Sequence, residues 1–99
     1  MWYLALKISE LPKDSGRSLE IASQRVALFN VGGKFYAMAD SCMHRGGPLG
    51  DGHLEGTTVT CPWHAWDFDV KTGECLTMKG SKQKKFPVKT EGDGVYVEL

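Results

Sequence analysis

The chain has 99 residues, 41% of them hydrophobic, and no net formal charge, which is enough for one domain with a modest core. Balanced charge argues against a nucleic-acid partner. There is no apolar run near the roughly 18 residues that span a bilayer and no basic-apolar-small leader at the N-terminus, so neither a membrane anchor nor export is expected.

Short apolar alternations repeatedly give way to turn residues and no helical period is sustained, which predicts an all-β fold. Met1 to Ile8 and Leu19 to Ile21 read as strands, separated by the polar stretch Glu10-Leu11-Pro12-Lys13-Asp14, with room for a helical turn at most. Arg25 to Val31 and Lys34 to Ala39 flank Gly32-Gly33, a hairpin signal because glycine takes positive φ without steric cost. Asp51 to Gly56 reads as a turn running into the strand Thr57 to Thr60. Trp66 to Val70 follows a short loop, and Lys71-Thr72-Gly73 turns the chain. Phe86 to Thr90 and Val95 to Leu99 close it across Glu91-Gly92-Asp93-Gly94. There is no internal repeat and no low-complexity linker.

Two loops between these strands carry the chemistry. DSCMHRGGPLGDG offers Cys42 and His44, and TCPWHAWDFD offers Cys61 and His64. Soft thiolates alternating with imidazoles at short spacing, each pair on a Gly- or Pro-bearing loop, is metal-ligand patterning. Zinc also accepts two Cys and two His, and would make the site a folding clip without redox function. Zinc pairs, however, usually sit as Cys-x(2 to 4)-Cys and His-x(3 to 5)-His, whereas each loop here supplies one residue of each kind.

The order Cys-x-His, a gap of sixteen residues and Cys-x-x-His resembles the Rieske-type ferredoxin family, whose two-iron, two-sulfide cluster has cysteines on one iron and histidines on the other. GDGHLEGTTVTCPWHAWDFDVKTGE and FPVKTEGDGVYVEL look like segments of the same family, so the likeness covers roughly residues 25 to 99. The resemblance implies a [2Fe-2S] cluster with Cys42 and Cys61 on the buried iron and His44 and His64 on the outer one. It implies an antiparallel β-sandwich base formed by residues 1–40 and 79–99, with a small cluster-binding lobe at about 41–78, the whole a single domain. With neutral imidazoles replacing two thiolates, the formal charge of the oxidised site is roughly zero rather than about minus two, so an added electron is resisted less. It settles on the histidine-bound iron. The free ring nitrogens bind protons near neutral pH, so the potential is expected to fall on the alkaline side.

Departures from the high-potential respiratory members refine this expectation. Those carry a further cysteine in each loop, joined as a disulfide, and Gly47 and Trp63 stand at those positions here. Their serine and tyrosine hydroxyls, which hydrogen-bond the cluster sulfurs, are matched by Trp66 and Phe68. Fewer donors to the reduced cluster place the expected potential toward the lower end of the span known for such centres, roughly −150 to +300 mV. Gly46, Gly47 and Gly50 are expected to bring backbone N–H groups against the cluster, and Met43, Leu49, Trp63 and Trp66 to surround it with apolar area, although Trp66 equally suits the core. Cys75 reads as a half-buried strand residue, His53 as a surface or structural histidine, and Arg45 as either a partner-orienting charge or a solvated one. Lys79, Lys82, Lys84, Lys85 and Lys89 form a solvated run or a patch for an acidic partner. They occupy the place where family members often have a proline-containing third loop.

The resemblance implies a one-electron carrier between a flavin-dependent reductase and a terminal oxygenase or similar acceptor, and the cysteine usage suits a reducing cytoplasm. Three cysteines with two assigned leave no intramolecular disulfide. The chain also resembles the small subunit of assimilatory nitrite reductase, and a zinc-stabilised binding module stays open. An oxygenase catalytic subunit is not expected, for want of residues to build a mononuclear iron site.

Overall fold

The computed structural model describes residues 1–42, 46–63 and 65–99. Among them are ten strands, β1 (Trp2–Lys7), β2 (Ser15–Ile21), β3 (Gln24–Val31), β4 (Lys34–Ala39), β5 (His53–Glu55), β6 (Thr58–Thr60), β7 (Asp67–Asp69), β8 (Lys85–Phe86), β9 (Val88–Glu91) and β10 (Gly94–Glu98). They form three antiparallel sheets, ordered β1-β10-β9, β2-β3-β4-β8 and β5-β6-β7. Among the described residues, no helix is long and apolar enough to cross a membrane.

β3 organises the molecule. Its centre, Val26-Ala27-Leu28-Phe29, is fully buried on both faces, which is why the sequence reads as a continuous apolar run there rather than an alternation. Because side chains alternate along a strand, Val26 and Leu28 join one core with Leu6, Ile21, Ala37, Val95 and Val97. Ala27 and Phe29 face a second core with Met38, Leu49, Val59, Phe68, Val70 and all three cysteines. The middle sheet is therefore a shared wall, with the terminal strands on one side and the loop-rich part of the chain on the other.

The expected strands are found with shifted ends. β2 starts four residues earlier than its apolar pattern suggests because Ser15 to Ser18 pair in register with Asn30 to Ala27. Gly16 is needed there, since a Cβ would stand 2.6 Å from the Phe29 ring. The expected helical turn falls on Ile8–Glu10, overlapping the expected stretch only at Glu10, where the Lys7 N–H donates to Glu10 Oε1 at 2.7 Å, and a second short turn falls on Leu49–Asp51. β5 lies within the stretch read as a turn. The stretch Phe86 to Thr90 is two strands in different sheets, β8 beside β4 and β9 beside β10, because Pro87 has no N–H to continue a ladder.

Candidate metal centre

The first loop leaves β4 and runs to β5, and the second joins β6 to β7. Each is closed on itself around its cysteine. The Cys42 N–H donates to Gly47 O at 2.8 Å and the Gly46 N–H to Cys42 O at 2.7 Å, with Gly46 at φ 76. The Cys61 N–H donates to Trp66 O at 2.7 Å. Both cysteines are buried, 3% and 2% exposed, and both are free thiols. His44 and His64, with Met43 and Arg45, lie outside the described residues.

The two thiols are neighbours. Burial raises the Cys61 pKa, a backbone N–H from Trp63 opposes the rise, and a hydrogen bond and charge from Cys42 add to it. Two adjacent thiols in apolar surroundings, not joined to each other, are poor core residues but good soft-metal ligands, and metal binding would release their protons. The loops meet at Gly47, where a Cβ would stand 2.8 Å from Cys61 Sγ and 3.1 Å from Trp63 Cβ. Positions 47 and 63, singled out for lacking the disulfide, therefore face each other.

Two expectations change. The Gly50 N–H, expected at the cluster, donates instead to Asp40 Oδ1 at 2.8 Å. A Cβ at position 50 would lie 2.4 Å from the Ser18 backbone, so this glycine serves the close approach of the first loop to β2. The Gly46 N–H is likewise committed to Cys42 O. Leu49 is fully buried in one core with Cys42 and Cys61, as apolar area around the site requires. Trp66 is half-buried against the lobe core, and Phe68 is completely enclosed.

Sequence reasoning missed the residue that ties the first loop to the wall. Asp40 is completely buried, and its carboxylate accepts from Ser18 Oγ at 2.7 Å, Arg25 at 2.7 Å and the Gly50 N–H. The Leu49 N–H donates to its carbonyl. A carboxylate can be buried when it is paired and multiply hydrogen-bonded, and the only signal was a charge ending the apolar run Ala37-Met38-Ala39.

Around the loops, Trp63, Leu76 and Met78 are each about half exposed (51%, 49% and 51%). Leu76 and Met78 lie on a third loop, whose arms pair through Glu74 and Lys82 and through the Cys75 N–H to Ser81 O. The Leu76 N–H to Asp67 O bond and the Asp67 N–H to Thr77 Oγ1 bond hold this loop against the start of β7. Cys75 is fully buried rather than half-buried, and its sulfur accepts the Met78 N–H at 3.3 Å. Lys79, Lys82 and Lys84 are exposed, whereas Lys85 is drawn in, donating to Val70 O at 2.6 Å. His53 is on the surface, 3.7 Å from Glu55.

Residues 1–90 match the family model of the Rieske [2Fe-2S] domain. The chain is 39% identical over 98 residues to the 3-phenylpropionate/cinnamic acid dioxygenase ferredoxin subunit of Escherichia coli (strain K12), covering 96% of this chain and 91% of that one. It superposes with TM-score 0.88 and 28% identity on a chain from the complex of reduced oxygenase and oxidised ferredoxin of carbazole 1,9a-dioxygenase, covering 97% and 91% of the two chains. A nitrite reductase (NADPH) small subunit superposes with TM-score 0.85 at 22% identity over 100% and 99%, a likeness of fold alone.

Proposed function

The chain belongs to the Rieske [2Fe-2S] domain family, and on that premise we propose that it is a one-electron carrier whose cluster is ligated by Cys42, Cys61, His44 and His64. The reading rests on the two buried, free, adjacent thiols, each on a loop with a histidine close behind it. When bound, a [2Fe-2S] cluster takes up and releases a single electron. The residues on the page would anchor one iron through Cys42 and Cys61 and keep water from it with Leu49, Phe68 and Trp66. The protein is a carrier, not a catalyst.

Electrons pass in this reading from a reductase to an oxygenase, in keeping with the dioxygenase ferredoxin subunits among its relatives. A flavin-dependent reductase suits the donor side, because a flavin divides a hydride into single electrons. The half-exposed Trp63, Leu76 and Met78 give a small apolar contact of the kind that transient electron exchange needs. The division into a lobe at 41–78 on a base from 1–40 and 79–99 follows this assignment, and free thiols suit a reducing cytoplasm.

Anaerobically purified protein is expected to hold about two irons and two acid-labile sulfides per chain, to be red-brown, and to bleach on reduction. Stoichiometric zinc without iron would overturn the assignment. Voltammetry is expected to give a midpoint below 0 mV, within roughly −150 to +300 mV, and a value well above zero would remove the low-potential reading. His64→Cys is expected to lower the potential or lose the cluster.

A further inference from the structure

The third loop reaches the first ligand loop through one side chain. Gln83, only 5% exposed, extends its amide between the carbonyls of Ala39 and Ser41, with Nε2 2.8 Å and 2.6 Å from them. The amide orientation is unambiguous, because the opposite one would set Oε1 against two carbonyl oxygens. Gln83 is itself fixed: its N–H donates to Gly73 O at 2.7 Å, at the base of the third loop.

The two carbonyls it grips flank Asp40, whose carboxylate is held from the other direction by Ser18, Arg25 and Gly50. The Ser41 carbonyl belongs to the peptide immediately before Cys42. That peptide's N–H is the Cys42 N–H, donated to Gly47 O. Both ends of this peptide are therefore committed, one within the ligand loop and the other to Gln83. The Cys61 N–H goes to Trp66 within its own loop, and Thr60 before it is held by strand pairing with His53 and Asp67. A peptide plane held at both ends fixes the direction in which the next side chain leaves the backbone, here that of Cys42.

We propose that Gln83 is a positioning residue for the cluster, orienting the Ser41–Cys42 peptide so that the Cys42 thiolate meets its iron. The proposal rests on the ligand assignment above. It gives the lysine-rich third loop a mechanical role in the site, through a residue of that run that is uncharged and buried.

The test uses the loaded protein. Gln83→Met keeps length and removes both donors. It is expected to release iron to a chelator about 10-fold faster and to shift both the EPR g-values of the reduced cluster and the midpoint potential. Should only the unfolding temperature fall, with g-values, potential and release rate those of the wild type, Gln83 is a structural brace and the proposal is wrong. If Gln83→Met does not accumulate, Gln83→Lys and Gln83→Glu decide. Both are long and charged, but one only donates and the other only accepts, so Lys must retain the wild-type spectrum while Glu loses it. Equal behaviour of the pair overturns the proposal. A wild-type protein lacking iron and sulfide would instead refute the ligand assignment, a separate outcome.

Discussion

The two faces of β3 look onto cores of different kinds. On one side Val26 and Leu28 meet Leu6, Ile21, Val95 and Val97, an apolar core walled mainly by β1, β2, β3 and β10, strands of five to eight residues. On the other, Ala27 and Phe29 meet a core that includes Cys42, Cys61 and Cys75 and is walled by three strands of three residues each. Long paired strands can hold their register through side-chain packing, whereas three-residue strands bury little and need a further tie. The first core is thus built to stand on packing, and the second, on the proposed ligation, would depend on the group bound by its cysteines.

Stripping the cluster is the strongest way to break this comparison. Chelation under reducing conditions is expected to lower amide-exchange protection at Val59 and Phe68 by orders of magnitude while leaving Val26 and Leu28 near their holo values, because metal affinity is folding energy for the part that binds it. Equal protection in both cores after iron loss would show that the lobe stands unaided. Core truncation sharpens the same contrast. Leu28→Ala is expected to destabilise by about 2–5 kcal/mol in denaturant unfolding, with or without cluster. Leu49→Ala, equally buried but in the lobe core, should cost a similar amount only in the loaded protein.

What could be read in advance followed the same division. The hairpin β3–β4 and the closing strands declare themselves through apolar runs and glycine turns, since their partners are near in sequence. The proposed ligands Cys42, His44, Cys61 and His64 stand out in the sequence because chemistry restricts which residues bind iron. Asp40 and Gln83 were not, because a hydrogen bond from Gln83 to Ser41 spans 42 positions and nothing in a lysine-rich stretch marks one glutamine as buried. Gly50 was misassigned for a related reason. Proximity to ligands suggested a donor to the cluster, while the Ser18 backbone behind it was invisible until the topology was known.

A smaller effect probes the seam between the ligand loops. Trp63 fills the space that a side chain at position 47 would need, with Cγ 3.0 Å from the would-be Cβ. Gly47→Ala is expected to destabilise the loaded protein by about 1–3 kcal/mol, as overpacking does. Part of that cost should vanish in the Trp63→Ala background, with a coupling of about 0.5–3 kcal/mol in a double-mutant cycle. Additive costs would mean that the strain falls on Cys61 Sγ and on the Cβ at position 63, which alanine keeps.

The smallest expected effect lies at the junction of wall and lobe. Lys85, on β8, passes Gly73, places its ammonium 5.1 Å from the Tyr36 ring centroid and donates to Val70 O in the lobe core. Burial lowers its pKa from 10.5 to about 8, with the Asp69 carboxylate partly opposing the shift. Between those values the unfolded chain binds the proton that the folded one has released, so stability rises with pH through this window, and below it the folded protein carries the cost of a partly desolvated ammonium. The side chain is only about half enclosed, so solvent screening keeps the effect small. Urea unfolding of the wild type should therefore strengthen slightly from pH 8 to pH 10 relative to Lys85→Met, in which that dependence is absent. Parallel pH profiles for the two proteins would show that the ammonium is solvated, and that the Val70 contact contributes no charge-dependent tie between the two halves.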